Sequence, residues 1–191
     1  MFKKEQIIDA AFALLRRRGW KGVTVRTIAR ELDSSTMPIY SAKLSMEDLE
    51  WELRAKTWAL IQEYQRKPYT DNPLTNMAVG LAAFAREEPC LYRFLYVERP
   101  LLEREDEVEE QTQKFKQAFG RHKELIKALR LVPEGIQNPL MLKSWIFVHG
   151  LASLLGNRAL EMSEKKVIRL IEEAGGAFYI FEQQLKQEEK K

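Results

Sequence analysis

Apolar residues recur at three- and four-residue spacings along most of the chain, which is the period of an α-helix. The first such segment places five apolar residues on one face, namely Ile7, Ala10, Ala11, Leu14 and Leu15. Gly19 follows three arginines and is a typical C-terminal stop for this helix. Alternation bounded by hairpin turns, which would predict β-strands, is not evident anywhere in the sequence. The pattern therefore predicts an all-α protein.

Two short helical segments joined by a polar turn follow the first helix. Thr24 is a typical N-cap for one of them and Ser35 for the other, with Pro38 in a first turn where its missing N–H does little harm. Asp33 tolerates the left-handed backbone conformation that a sharp turn between helices needs. These features predict a helix-turn-helix whose second helix is held outward.

Capping and proline signals divide the remainder into further helices. Ser45 and Asp48 form a capping-box pattern ahead of a long helix from about Met46 to Arg66. Later helix starts are predicted at Asn72-Pro73, Glu88-Pro89, Asn138-Pro139 and Ser163. Gly175 and Gly176 cost about 1 kcal/mol each relative to alanine inside the last helix, so they indicate a kink or a close approach of another helix.

The distribution of charge along the chain indicates nucleic acid as a candidate partner. The 191-residue chain has a formal net charge of +3, whereas residues 1–46 alone contain nine Lys or Arg and four Asp or Glu. A basic surface attracts the phosphates of DNA through counterion release. An ordinary solvated surface is the alternative explanation, and charge alone does not separate the two.

The sequence contains no arrangement typical of catalysis or of metal binding. Ser-His-Asp and Cys-His sets, HExxH and glycine-rich phosphate loops are absent, and the only histidines, His122 and His149, are far apart. Cys90 is the single cysteine, which excludes an internal disulfide and a thiolate cluster. We therefore expect no enzymatic activity, no metal site and no cofactor.

No segment of the sequence predicts export or membrane insertion. The first residues lack an apolar signal core, and the longest apolar stretch, around Trp145 to Leu155, is interrupted by His149. We expect this stretch to be far short of a bilayer span. The prediction is a cytoplasmic protein with no membrane partner.

The segment from Ile7 to Leu49 resembles the N-terminal domain of the TetR family of bacterial transcriptional regulators. The matching residues are Ile7, Ala10, Ala11, Gly19, Thr24, Ile28, Ala29, Ser35, Tyr40, Glu47 and Leu49. The resemblance implies a three-helix DNA-binding head with a helix-turn-helix at residues 1–46 and a larger helical ligand-binding and dimerisation bundle at residues 47–191. It further implies a homodimeric repressor that a small, largely apolar ligand releases from a palindromic operator of double-stranded DNA.

The resemblance assigns contacts with DNA to residues of the helix-turn-helix. A recognition helix reads base edges in the major groove, while flanking hydroxyls and cations hold phosphates. The expected base-reading residues are Thr36, Met37 and Ser41, and the expected phosphate contacts are Thr24, Arg26, Ser34, Ser35, Tyr40 and Lys43. Each has a structural alternative: Thr24 and Ser35 are caps with or without DNA, Tyr40 is a packing residue, and Arg26 is a plain surface charge.

The larger domain is expected to hold a ligand pocket and a dimer interface. For most of its aromatic residues core packing is the alternative, but the resemblance implies a pocket, which we expect to be lined by some of Trp58, Met77, Phe84, Phe94, Phe115, Met141 and Trp145. Small residues on two helices permit close helix approach, and the resemblance implies that these helices form a four-helix interface with a second copy. The expected interface residues are His149, Gly150, Ser153, Gly156, Gly175, Gly176 and Tyr179.

Three residues depart from the family pattern. Asp33 stands where a turn glycine is usual, Lys43 where an aromatic residue is usual, and Met46 where a phosphate-binding lysine is common. Asp33 puts negative charge near the DNA, and Lys43 can replace the cation that is lost at Met46. A helical protein-interaction or small-molecule-binding module with lost or weak DNA binding is therefore the alternative function.

Overall fold

The computed structural model of the protein describes residues 2–98 and 134–189. Within these ranges the α-helices are α1 (Lys4–Arg18), α2 (Val25–Glu31), α3 (Met37–Ser41), α4 (Met46–Gln65), α5 (Pro73–Glu87), α6 (Pro89–Arg93), α7 (Glu134–Gly156) and α8 (Glu164–Glu188). A 3-10 turn at Trp20–Gly22 precedes α2, and a π-helical turn at Phe94–Glu98 follows α6. These two ranges contain no β-strand, so the all-α prediction is confirmed for them.

The chain divides into two compact units. Among the described residues, one unit contains 2–62 with 88–98, and the other contains 63–87 with 134–189. The first unit therefore includes most of α4 and the whole of α6 in addition to the N-terminal helices. The functional division at residue 46 stays a prediction, because packing does not say where DNA contacts end.

Several helix boundaries form as the sequence predicts. The backbone N–H of Gly19 donates to the Leu15 carbonyl at 2.9 Å, with Gly19 at a φ of 70° that suits glycine. The capping box is present, since Asp48 N–H donates to Ser45 Oγ at 3.0 Å and Ser45 N–H donates to Asp48 Oδ2 at 3.1 Å. Asn72 caps α5 by accepting a hydrogen bond from the N–H of residue 74 at 2.9 Å. These interactions are local, which is why short sequence motifs identify them.

Two helix starts differ from the prediction. The first helical residue of α3 is Met37, so the N-cap position is Thr36 rather than Ser35, and the Thr36 side chain forms no capping hydrogen bond. The seventh helix begins at Glu134, and Pro139 lies inside it instead of opening it. Because proline has no N–H, Pro139 cannot donate the helical hydrogen bond to the carbonyl four residues before it.

The core of the second unit is formed where α5, α7 and α8 meet. Its buried residues are Val79 and Ala82 of α5, Leu151 and Leu155 of α7, and Val167 and Ile171 of α8. Gly156 permits α7 to approach α5, since a Cβ at this position would lie 2.8 Å from the carbonyl oxygen of Ala85. The missing side chain of Gly156 therefore serves packing inside the chain, and its expected role at an interface between copies stays a prediction.

The apolar part of α7 is longer than the sequence analysis expected. Residues Pro139–Gly156 form an 18-residue window with a mean hydropathy of 1.2, which is long and apolar enough to cross a membrane by length and composition. The expectation of a stretch far too short for a bilayer is wrong on this point. The helix nevertheless supplies Leu151 and Leu155 to the core described above, and a core helix of a folded domain has the same composition.

Candidate nucleic-acid interface and ligand cavity

The orientation of α3 follows from burial of its inward-facing residue. Ile39 is 4% exposed and Ile28 of α2 is fully buried, whereas Met37 and Tyr40 are 67% and 65% exposed. Because residues 37, 40 and 41 are three and four positions apart, they share the helix face opposite to Ile39. Large apolar side chains that are exposed to water on this five-residue helix are energetically unfavourable. This face is therefore suited to contact with another molecule.

The turn between α2 and α3 has the left-handed residue that the sequence predicts. Asp33 has a φ of 48°, its N–H donates to the Arg30 carbonyl at 3.1 Å, and the next N–H, of Ser34, donates to the Ala29 carbonyl. This is the hydrogen-bond pattern of a Schellman motif, in which glycine is the usual left-handed residue. Aspartate adopts this conformation more readily than most side chains do, so Asp33 permits the sharp turn.

The structure places all nine predicted DNA contacts at least partly on the surface. Seven are exposed, namely Thr24, Arg26, Ser35, Met37, Tyr40, Ser41 and Lys43, and two are half-buried, namely Ser34 and Thr36. Thr24 is also a cap, since its Oγ1 accepts the N–H of Thr27 at 3.1 Å. The hydroxyl of Ser41 donates to the Met37 carbonyl at 2.9 Å. Contact with DNA stays a prediction for all nine.

Exposed cations surround this helix pair. Lys21, Arg26, Arg30 and Lys43 are exposed and form no ion pair with any residue in the described ranges. Arg17, by contrast, pairs with Glu31 at 2.7 Å. Cations without protein partners are available to phosphates, which makes this surface electrostatically suited to nucleic acid.

An ion pair and an aromatic contact join the N-terminal helices to residues 88–98 within the first unit. Arg16 of α1 donates from both Nε, at 2.6 Å, and Nη2 to the carboxylate of Glu88, which is 5% exposed. The rings of Trp20 and Phe94 have centroids 5.3 Å apart. Sequence reasoning missed the pair of Arg16 and Glu88 because 72 positions separate them and neither belongs to a recognisable motif.

The second unit contains a cavity of about 440 Å³. Its wall comes from α5, α7 and α8, together with Gln65 and Asn72. The size lies within the range of about 300–1,000 Å³ that is typical of small-molecule sites. Three residues that the sequence analysis assigned to a pocket line this cavity, namely Met77, Met141 and Trp145.

The other residues that were expected in the pocket do not line the cavity. Phe84 is fully buried in an edge-to-face contact with Tyr64, with ring centroids 5.6 Å apart. Trp58 and Phe94 belong to the first unit, where Trp58 packs on Tyr96 at 6.0 Å. Phe115 lies outside the described residues. Phe84 and Phe94 are fully buried in cores, where their large apolar areas are stabilising, and Trp58 is half-buried.

His149 is the histidine of the cavity wall. Its ring centroid lies 4.4 Å from that of Trp145, and burial lowers its pKa from 6.5 to about 4 because the charged imidazolium loses solvation. His149 is therefore neutral at physiological pH. Gly175 and Gly176, which were expected at a dimer interface, also line the cavity.

Replacing His149 with glutamine is expected to reduce the loss of stability on acidification. The folded-state pKa lies below the ordinary value of 6.5, so stability is complete above pH 6.5 and falls as pH decreases towards 4, where the unfolded state binds the proton first. With screening at a half-buried ring, we expect wild type to lose about 1–2 kcal/mol more than the variant between pH 7 and pH 4.5. Urea unfolding at both pH values measures this difference, and parallel losses in the two proteins would refute it.

Two rows of exposed apolar residues lie on α7 and α8. The α7 row is Leu142, Ile146, Gly150 and Leu154, and the α8 row is Ala177, Phe181 and Leu185. Four-residue spacing keeps each row on one side of its helix. At Gly150 a Cβ would meet no atom within 4 Å, so this position is open.

The remaining residues predicted for a dimer interface occupy other positions. Ser153 and Tyr179 are half-buried, and the hydroxyl of Tyr179 accepts a hydrogen bond from Gln183 Nε2 at 2.6 Å. Of the predicted set, Gly150 belongs to an exposed apolar row. Sequence reasoning missed Leu142, Ile146 and Phe181, although their four-residue spacing was available as a signal.

The described residues contain no group of His, Cys, Asp and Glu that is arranged to hold a metal ion. Cys90 is a free, half-buried thiol, and Nη2 of Arg93 lies 3.8 Å from its sulfur. The expected absence of cofactor, metal and catalytic activity remains an expectation.

Comparisons with known proteins were made for the sequence and for the fold. Residues 74–174 match the family model of the tetracyclin repressor-like C-terminal domain. Among solved structures, the transcriptional regulator SCO7222, a TetR from Streptomyces coelicolor, is similar with 17% identity and a TM-score of 0.45, over 94% of this chain and 99% of that chain. No curated protein matches the chain significantly.

Proposed function

Since more than half of its residues match the tetracyclin repressor-like model, the chain belongs to the TetR family of transcriptional regulators, and we propose that it is a homodimeric repressor released from a palindromic operator by a small, largely apolar ligand. The observation that carries the proposal is the outward face of α3, with Met37 and Tyr40 exposed above a buried Ile39. The protein acts in the cytoplasm, binds no membrane and catalyses no reaction.

The outward face of α3 enters the major groove. Thr36, Met37 and Ser41 read base edges, and Tyr40 and Lys43 hold phosphates together with Thr24, Arg26, Ser34 and Ser35. Neither threonine nor methionine makes the bidentate contact that arginine makes with guanine. Sequence-dependent DNA shape therefore contributes to the choice of operator.

The α7 row and the α8 row form the dimer interface. Ile146 is 57% exposed and Phe181 is 50% exposed, and burial against a second copy removes their apolar surface from water. A two-fold axis places two copies of α3 on successive turns of the duplex, which explains the palindromic operator.

Release follows from linkage between two binding sites. The cavity wall includes Gln65, the last residue of α4, and residues of α5. The chain continues from α5 directly into residues 88–98. The first of these, Glu88, forms an ion pair with Arg16 of α1. We expect the ligand to bind more tightly when the two copies of α3 are at a distance that does not fit the operator. Such a ligand weakens DNA binding by the difference between its affinities for the two arrangements, and DNA weakens ligand binding by the same factor.

Selection of operator fragments from random DNA tests the proposal. The protein is expected to enrich one palindromic sequence and to bind it with a steep dependence on salt. Lys43→Gln should weaken binding to all sequences about equally, whereas Met37→Ala should change base preference within the site. Lys165→Gln, on an exposed part of α8, is the matched control for loss of charge.

The second function, a helical module with lost or weak DNA binding, is favoured by the exposed carboxylate of Asp33 beside α3. Asp33→Asn separates the two, because asparagine keeps the left-handed conformation and removes the charge. Under the repressor proposal, wild type binds its operator specifically and Asp33→Asn binds it somewhat more tightly. Specific binding that appears only in the Asp33→Asn variant, or in neither protein, would support the module instead.

A further inference from the structure

Charge is unevenly distributed on the wall of the cavity. Among the described lining residues, Glu172 alone carries a formal charge at neutral pH, and the other polar residues of the wall are Gln65, Asn72, Thr75, Ser144 and His149. Glu172 is both exposed and a lining residue, so it lies where the cavity opens to solvent, here called the mouth, and it forms no ion pair with the rest of the described chain. Arg169 of the same helix pairs with Glu173 instead, at 2.7 Å. Among the described residues, no cation therefore compensates the negative charge at the mouth.

Behind the mouth, much of the wall is aromatic or thioether. It includes Trp145, Phe147, Phe178, Met77 and Met141. Phe147 and Phe178 form an edge-to-face pair with centroids 6.1 Å apart, and Trp145 is more than half exposed. Aromatic faces attract cations through the ring quadrupole, and thioethers adapt to apolar bodies of irregular shape. His149 adds no positive charge, since burial keeps its pKa near 4.

We propose that the cavity selects a lipophilic cation, an ammonium or phosphonium centre with apolar substituents, over an anion of the same size. The cationic centre faces the carboxylate of Glu172, and its substituents pack against Trp145 and Phe178. This inference rests on the proposed function in taking the cavity as the effector site. An anion would enter beside Glu172 and find no lysine or arginine in the described wall, so it would lose hydration without gaining a counter-ion.

Two probe ions with the same tetraphenyl shell and opposite charges test this selection. Isothermal titration calorimetry of the full chain with tetraphenylphosphonium and tetraphenylborate compares their affinities at pH 7.5 and physiological salt. We expect the phosphonium to bind at least about fivefold more tightly, which is the scale of one screened charge contact. Glu172→Gln, at an exposed position, should lower phosphonium affinity about fivefold and leave borate affinity unchanged or raised. Glu188→Gln makes the same charge change near the end of α8, at an exposed position outside the wall, and should preserve the preference.

The possible results either support or overturn the assignment. A phosphonium preference that disappears in Glu172→Gln and persists in Glu188→Gln supports it. Equal or tighter binding of tetraphenylborate, an unchanged preference in Glu172→Gln, or binding of neither ion overturns it. Operator binding is measured separately. A protein that binds an operator and releases it with a neutral or anionic compound keeps the proposed function and loses the cation assignment. A protein that binds the cation at Glu172 but shows no change in DNA binding keeps the cation assignment and loses the proposed function.

Discussion

Replacing Ile146 with glutamate is expected to convert the proposed homodimer to monomers and to weaken binding to the proposed operator by about a hundredfold or more. Ile146 lies in the middle of the α7 row and is 57% exposed in the single chain. At a two-fold interface the substitution introduces two carboxylates, and each would be buried without a partner. A monomer then holds one half-site, and the second half-site no longer benefits from a high effective concentration.

Sedimentation velocity at micromolar concentration measures the first effect, and titration of the selected operator measures the second. Gln187→Glu introduces the same charge at an exposed position of α8 about 120° around the helix from Phe181, so this control should remain dimeric. Phe181→Glu should behave as Ile146→Glu does. A dimer that survives both row substitutions would show that the copies meet elsewhere.

The helix-turn-helix, which we propose binds DNA, is the part of the molecule whose local structure the sequence predicts best. Thr24, Asp33 and the capping box at Ser45 are decided by interactions within a few residues, so each has a local signature. The error at the start of α3 has the same origin. Ser35 and Thr36 are both good N-cap residues, and their residue types alone do not decide which of them precedes the first helical residue.

The cavity could be predicted only in part, because hydrophobicity does not distinguish a core residue from a cavity residue. Phe84 and Trp145 are both large and aromatic and lie on helices of the same unit. Phe84 is fully buried against Tyr64, whereas Trp145 is 55% exposed and lines the cavity. The difference depends on the rotation of α5 and α7 about their axes, and that rotation is set by tertiary packing.

Small residues on α7 and α8 had two possible meanings that sequence could not separate. Gly156 serves a close approach to Ala85 within the chain, whereas a Cβ at Gly150, Gly175 or Gly176 would meet no atom within 4 Å. A glycine in a helix permits another group to pack closely against the backbone. The sequence alone does not identify that group as a neighbouring helix, a second copy of the chain or a ligand. Exposed apolar rows are a more direct sign of an interface, since burial of Leu142 and Phe181 is itself favourable.

Gly80→Ala is expected to destabilise the protein by about 2 kcal/mol and to lower its Tm by about 4–8 °C, although alanine favours helix over glycine by about 1 kcal/mol. The reason is the close approach of α5 to the end of α4. A Cβ at Gly80 would lie 2.6 Å from Cα of Gln65 and 2.6 Å from the carbonyl oxygen of Tyr64. Both are backbone atoms, so they cannot move aside as a flexible side chain does, and the helices must separate.

Gly175→Ala provides the matched control for this substitution. Gly175 is also inside a long helix, but its Cβ would meet open space, so the gain in helix propensity should appear alone as up to about 1 kcal/mol of added stability. Thermal and urea unfolding of the two variants should therefore give changes of opposite sign. If Gly80→Ala were as stable as wild type, α5 would not pack on Tyr64 and Gln65 as described. The part of the cavity wall that Gln65 and α5 form would then also be incorrect, because it depends on the same close approach of α5 to the end of α4.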